Sequence, residues 1–231
     1  NKNPINGLGE GWFVTPGTLK RHPELKTVMD VIDNPQLFPH PEDPSKGAFV
    51  TCPSGWGCQK SNLNLFRAFD MESKGWKMLD PGSSAGLDGT IAKASVRDQN
   101  WFGFYWTPTA LAGKYNMQML EWGIEYAGDD NWNNCIVKSV EECAEPKPSA
   151  WTTPVVTSII TKKFKDNAQK ATLGYLENRT WDTSVLNNVL DYMENNKLEG
   201  GDAAYYFLVE YPDVWTQWVG DRAQQKIKDS L

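Results

Sequence analysis

The eight residues Thr51-Cys52-Pro53-Ser54-Gly55-Trp56-Gly57-Cys58 constrain this chain more than any other stretch. Two cysteines six positions apart enclose one Pro, two Gly and one Trp, a composition that suits neither a helix interior nor a strand interior. A disulfide across so short a loop would hold Trp56 outward. It would also aim the backbone N–H groups of Gly57 and Cys58 at a common point, as an anion-binding nest. Further on, Phe102-Gly103-Phe104-Tyr105-Trp106-Thr107-Pro108 reads as an apolar strand that ends in a second Trp before a Thr-Pro stop. Two rigid indole faces and a nest of donors meet the needs of a small zwitterion: π-faces for its cation, N–H groups for its anion.

The four cysteines fall into two close pairs, Cys52/Cys58 and Cys135/Cys143, with none left over. Zinc is the competing reading, but the short C-x₂₋₄-C spacing is absent and only His22 and His40 could assist. Two local disulfides in an oxidising compartment fit better. A ring as small as the first is worth only about 2 kcal/mol by loop entropy, so that bridge serves loop geometry more than global stability. The sequence begins at Asn1 with neither Met nor a signal peptide, and is read as processed or truncated.

A net charge of −6 argues against nucleic acid or an anionic membrane as the main partner. No apolar run approaches the roughly 20 residues of a membrane span. Two His residues, no Gly-x-Ser-x-Gly and no credible metal cluster leave an enzyme poorly supported, and nothing calls for a cofactor or a metal. Eleven Trp residues keep a Trp-platform carbohydrate-binding module in view. Such a module would want flat aromatics with amide and carboxylate partners, and has no use for an N–H nest.

Coarse periodicity gives strands at Gly11–Val14, Ala48–Val50, Trp76–Leu79, the Phe102 segment and Pro154–Ile160. It gives helices at His22–Ile32, Asn62–Phe69 and Ala85–Val96, the last with Leu87, Ile91 and Ala94 on one face. Gly7-Leu8-Gly9-Glu10 is a flexible loop, Pro35–Lys46 an irregular surface loop, and Asp129–Ala150 a polar loop or crossover. Beyond it the pattern is helical: Lys165–Asn178, Thr183–Asn195, Gly201–Tyr211, and Pro212 onward, with Asp182-Thr183 and Asp202 as N-caps. Strand alternating with helix makes this an α/β protein.

These residues carry a resemblance. TCPSGWGC, then DPGSSAGLDGTIAKA, then FGFYWTPT, in that order, resemble the glycine betaine/proline-binding family, the extracytoplasmic receptors of ABC-type osmolyte importers. The Gly-Trp-Phe-Val start and the closing Pro-Asp-Val-Trp-Thr-Gln-Trp-Val helix match as well. The resemblance implies a two-lobed α/β periplasmic-binding-protein (Venus-flytrap) fold that closes on a quaternary ammonium ligand, and a membrane permease as partner. It implies that Trp56 and Trp106 are walls of an aromatic cage, that Gly57 and Cys58 offer backbone N–H groups to the ligand's anion, and that Cys52–Cys58 is the loop disulfide. Relatives carry a further stretch before this start, so the first lobe is expected to be incomplete. The expected lobes are residues 19–150, with the Cys-loop and cage Trp residues, and 1–18 with 151–231, joined by crossovers near Pro16–Thr18 and Ala150–Thr152.

Glu10 and Trp12 complete the candidate ligand set. Glu10 is either an exposed loop carboxylate or a group facing the ligand's cation; Trp12 is either strand packing or a further ligand contact. Some relatives that take trimethylamine N-oxide use an acidic residue in such a motif. The N-oxide, choline and dimethylsulfoniopropionate therefore stand beside glycine betaine as ligands. Tyr105, Trp122, Trp151, Trp181, Trp215 and Trp218 are read as packing residues.

Overall fold

The computed structural model describes residues 9–152 and 156–231. In chain order the elements are β1 (Gly9–Val14), α1 (Pro16–Arg21), α2 (Val28–Ile32), β2 (Gly47–Val50), α3 (Gly57–Ala68), β3 (Trp76–Leu79) and α4 (Ser84–Val96). Then come β4 (Phe102–Thr107), α5 (Ala110–Lys114), β5 (Gln118–Met119), α6 (Asp129–Asn131) and a π-helical turn over Trp132–Ile136. The rest is α7 (Lys162–Asn167), α8 (Lys170–Asn178), α9 (Thr183–Asn195), α10 (Gly200–Glu210), α11 (Pro212–Trp215) and α12 (Asp221–Lys228).

By internal packing the chain divides into two units, Glu10–Trp106 with Tyr115–Thr153, and Asn1–Gly9 with Thr107–Lys114 and Pro154–Leu231. The first holds one five-stranded sheet in the order β3-β2-β4-β1-β5. β2 runs parallel to β3, from Gly47↔Trp76 to Val50↔Leu79, and parallel to β4 at Val50↔Gly103. β5 closes the other edge antiparallel to β1, with Phe13 opposite Met119. Gly103 is what lets β4 come this close: a Cβ there would meet the Val50 carbonyl oxygen at 2.3 Å. Ser83 caps α4 by accepting from the Gly86 N–H at 3.0 Å, and Leu87, Ile91 and Ala94 are buried on its inner face as their spacing requires. A cluster of aromatic rings fills the sheet face: Trp12 packs on Phe49 at 4.5 Å and on Phe102 at 5.6 Å, and Phe102 on Trp76 at 5.3 Å. Trp76 also donates from Nε1 to the Ile32 carbonyl at 2.8 Å.

The second unit is helical among the described residues. Phe207, Trp215 and Trp218 form its buried centre, with Trp181, Val185, Val189 and Ile227 packed against it. Trp181 lies 4.6 Å from Phe207 and 4.8 Å from Trp218, a packing role that matches its reading from sequence.

Several expectations need correction. Residues 22–32 do not form one helix: the chain is helical over Pro16–Arg21 and again over Val28–Ile32, where Thr27 and Asp30 make a capping box. The crossover expected at Pro16–Thr18 is the start of α1, whose Thr18 is buried with its hydroxyl 2.9 Å from that of Thr15. The packing units change over at Gly9/Glu10 and Thr153/Pro154, where the expected lobe limits stand at 18/19 and 150/151. Residues 165–178 split at Ala168-Gln169, which are extended, into α7 and α8. Asp202 is the third residue of α10 rather than its N-cap; Glu199 caps, and Asp202 accepts from the Glu199 N–H at 3.2 Å. The polar 129–150 segment holds α6 and the π-helical turn. Of the Pro154–Ile160 strand, residues 154 and 155 lie outside the described residues; Val156 is a lone bridge residue and 157–160 carry no strand. Of the Gly7–Glu10 loop, residues 7 and 8 lie outside as well, while Gly9 and Glu10 begin β1.

Candidate ligand-binding site

The cysteine ring is built as a turn feeding straight into a helix. β2 delivers Thr51, Cys52 and Pro53 into burial, and the chain then turns through Ser54-Gly55. Gly55 sits at φ +89°, a left-handed conformation that favours glycine. The turn closes with the Trp56 N–H on the Pro53 carbonyl at 3.2 Å, and α3 starts at once, with Trp56 as its extended N-cap. The expected helix start at Asn62 is therefore one and a half turns late. Its correction changes the chemistry of the ring: Gly57 and Cys58 occupy the first turn of a 12-residue helix, where N–H groups have no intrahelical acceptor and the helix dipole favours an anion.

Side chains brace this turn from below. Gln59 accepts from the Gly55 N–H at 3.1 Å and donates to the Ser54 hydroxyl at 3.2 Å. Ser54 in turn donates to Asp80, and the Gly82 N–H reaches the same carboxylate at 2.8 Å. Those donors, Ser54 foremost, hold the Asp80 carboxyl below its ordinary range. Cys52 and Cys58 are bonded, as are Cys135 and Cys143, so no thiol is left to ligate zinc. Among the described residues no group of His, Cys, Asp and Glu is gathered that could hold a metal.

Trp56 keeps 37% of its surface exposed, unusual for the largest side chain. Its ring meets that of Trp106 edge to face, with centroids 5.6 Å apart and planes 63° apart. Trp106 reaches this place because β4 runs out just beyond it, and Tyr105 stacks beneath at 4.6 Å. Tyr105 itself is buried and donates to Asp88, which makes it a core residue as its alternation implies.

A cavity of about 660 Å³ opens beside Trp56. Gly57, Cys58, Lys60 and Ser61 from α3 line one side of it. Trp132, Val137, Trp151 and Thr152 line another, and Glu10 stands at its rim. Trp106 is not in the lining; its ring meets that of Trp56, which is. Burial pushes the Glu10 carboxyl above its ordinary value, since a partly desolvated carboxylate is harder to ionise. Trp132 and Trp151 meet edge to face at 5.2 Å, both nearly buried, so each offers the cavity only part of its ring.

Trp12 does not belong to this set. It has no exposed surface, its Nε1 donates to Asn62 Oδ1 at 2.8 Å, and Phe49, Phe69, Phe102 and Trp122 surround it. β1 is buried on both faces from Gly11 to Val14, which places Trp12 in the core, while Glu10 lies at the exposed start of the strand. Conversely, Trp132 and Lys60 reach the cavity without having been singled out. Trp132 could have been found as the one aromatic residue between Asp129 and Ser149, in a polar stretch that carries a cysteine pair, and Lys60 as a cation one turn into α3.

A second cavity, of about 480 Å³, lies elsewhere in the same unit, over Ala48, Val50 and Phe102. Its arginine, Arg21, is already engaged by Asp98 and by Asn100. It offers neither exposed indole faces nor a helix start, and the first cavity is the candidate site.

Comparison with known proteins adds the following. Residues 5–210 match the family model described as the substrate-binding domain of ABC-type glycine betaine transport systems. No curated protein matches the sequence significantly. Among solved structures, lactococcal OpuAC in its closed, liganded conformation with glycine betaine is similar at TM-score 0.56 and 15% identity, over 95% of this chain and 70% of that one. The glycine/betaine/L-proline-binding protein ProX of Borrelia burgdorferi is similar at TM-score 0.53 and 11% identity, over 98% and 71%. An ABC-transporter choline-binding protein in complex with choline gives TM-score 0.53 and 13% identity, over 98% and 70%. At such identities the structural likeness speaks for the fold alone, the α/β fold of periplasmic binding proteins. The family consists of the substrate-binding domains of transporters rather than of enzymes. The match over residues 5–210 makes this chain a member of the family of substrate-binding domains of ABC-type glycine betaine transport systems.

Proposed function

We propose that this chain is an extracytoplasmic receptor that binds a small methylated-amine zwitterion, glycine betaine foremost, and hands it to the membrane permease of an ABC importer. One observation carries the reading: the exposed Trp56 ring stands directly before the open N–H groups of Gly57 and Cys58, on the same cavity. A trimethylammonium group takes the aromatic face, and the carboxylate at its other end takes the helix start. Trp106 backs Trp56 edge to face and braces that indole from outside the lining. Each aromatic contact contributes roughly 0.5–2 kcal/mol, so two or three with an anion clamp reach about micromolar affinity. Binding without chemistry is all this asks of the site. The two disulfides support an oxidising location outside the cytoplasm, and among the described residues no helix is long and apolar enough to cross a membrane.

Glu10 supports a second ligand reading. A carboxylate at the cavity rim attracts a cation and repels a betaine's own carboxylate. Choline, which has no carboxylate, gains from Glu10 what it loses at the Gly57/Cys58 N–H groups; trimethylamine N-oxide, whose anion is a single oxygen, falls between, and dimethylsulfoniopropionate, which carries a carboxylate, follows glycine betaine. Calorimetry and thermal shift with glycine betaine, proline betaine, choline, carnitine, trimethylamine N-oxide and dimethylsulfoniopropionate decide the matter. Stabilisation by none of them would contradict the proposal, and a glucan that binds instead would replace it with a carbohydrate module.

A further inference from the structure

Two residues of α3 that do not line the cavity grip the loop that forms its far side. Asn64, fully buried two turns along the helix from Gly57, points its Nδ2 at three backbone carbonyls: Cys135 at 3.2 Å, Ile136 at 3.0 Å and Lys138 at 2.9 Å. These are the carbonyls at the end of the π-helical turn that begins with Trp132. Arg67, one turn further on, donates to the Cys143 carbonyl at 2.9 Å and the Ala144 carbonyl at 3.0 Å, and to Asn64 Oδ1 at 2.9 Å. The loop is thus held at both of its cysteines by one helix, and the Cys135–Cys143 bond closes it between the two grips.

The spacing of these grips has a consequence for the cavity. The N-terminus of α3 presents Gly57 and Cys58 to it, and the same helix, through Asn64 and Arg67, fixes the turn that presents Trp132 and Val137. The anion donors and the turn that carries Trp132 are therefore fixed to one helix. Buried polar side chains spent on backbone carbonyls are costly to leave unmatched, so the loop has one well-defined seat. We infer that Trp132 contacts the ligand's methylated head, and that Asn64 and Arg67 are the positioning residues that set its ring against Trp151. This rests on the reading of the cavity as the methylated-amine site.

The test uses the full chain labelled with 5-fluorotryptophan, the Trp132 resonance being assigned by Trp132→Phe. In ligand-free protein Arg67→Met should shift or broaden the Trp132 signal while Trp218, in the other unit, stays in place. Arg67→Lys, which restores a single donor group, should return part of the way. In glycine betaine titrations Trp132→Ala should weaken binding about tenfold and Arg67→Met about threefold, the size of one lost or displaced aromatic contact. Arg67→Met placed in the Trp132→Ala background should cost nothing more, because its effect passes through that ring. Arg67 is only half-buried, so its variant keeps the test alive if Asn64→Ala fails to fold. An unmoved Trp132 signal, or an Arg67→Met effect of equal size in both backgrounds, would overturn the positioning role. Unchanged affinity in Trp132→Ala would overturn the contact. Equal betaine binding by wild type and Trp56→Ala would remove the cage reading and the Trp132 contact with it, while the ligand-free spectrum would still decide whether Arg67 positions Trp132.

Discussion

Trp12 Nε1 donates to Asn62 Oδ1 at 2.8 Å, with both residues wholly shielded from solvent. This bond ties β1 to α3 and places Trp12 in the aromatic core. A ring surrounded by four other aromatics is a core element whose loss is felt as stability.

The first prediction follows from that bond. Trp12→Phe strands the Asn62 carbonyl oxygen, in a side chain whose Nδ2 already has no partner among the described residues. The cost should be about 2–4 kcal/mol, combining lost volume with an unsatisfied buried acceptor. Denaturant unfolding should show it, while the betaine affinity of the folded fraction stays within about twofold of wild type.

Gly103 gives a second stability test with a different cause. A methyl group there would press on the Val50 carbonyl oxygen at 2.3 Å and on Val50 Cβ at 2.8 Å, across a paired strand that cannot retreat without breaking its ladder. Gly103→Ala should destabilise by about 2–3 kcal/mol. A midpoint equal to wild type in urea would show that the β2–β4 approach is looser than described.

The Cys52–Cys58 ring should matter more to binding than to folding. Replacing both cysteines by Ser should cost about 2 kcal/mol or less of stability, given so short a loop. It should also weaken glycine betaine by about tenfold or more, because the Trp56 cap and the Gly57 and Cys58 N–H groups lose their common aim. An affinity that survives intact would mean that Gln59, Ser54 and Asp80 hold the turn unaided.

Glu10 sets the pH dependence. Its carboxyl lies above the ordinary 4.5 because burial opposes its charge. The native state then keeps a proton that the unfolded chain has already released, so the Glu10 contribution lowers stability as pH rises from the ordinary value through the folded one. A cation beside Glu10 favours its ionised form, so choline should bind more tightly as pH rises through the same window. Glu10→Gln should flatten both curves and shift preference toward glycine betaine. Calorimetry between about pH 4 and 7 reads this directly; a choline affinity with no pH dependence in wild type would remove Glu10 from the site.

Much of the fold could be read from local pattern alone. β3 and α9 lie at Trp76–Leu79 and Thr183–Asn195, the limits that periodicity gave them, because each has a clean apolar phase and a clear stop. The start of α3 was hidden because glycines at 55 and 57 read as one break, whereas only Gly55 needs its glycine conformation and Gly57 is already helical. The Trp132 turn was hidden for a different reason. Its helical turns have little apolar phase of their own and are held by Asn64 and Arg67, some seventy residues away in sequence. Asparagine inside a helix reads as a surface residue until the carbonyls it serves are known. Trp12 and Trp56 could not be ranked by residue type, since an indole packs and binds equally well; a strand buried on both faces encloses the first and a turn sends the second outward.

The central claim is that Trp56 is the aromatic face for a methylated ammonium group. It is tested most directly by calorimetric titration of glycine betaine into wild type and Trp56→Ala. The account predicts a loss of about 1–2 kcal/mol, or roughly fivefold to thirtyfold in Kd, with a smaller loss for Trp56→Phe, which keeps a reduced π-face. Equal affinity in wild type and Trp56→Ala would contradict it.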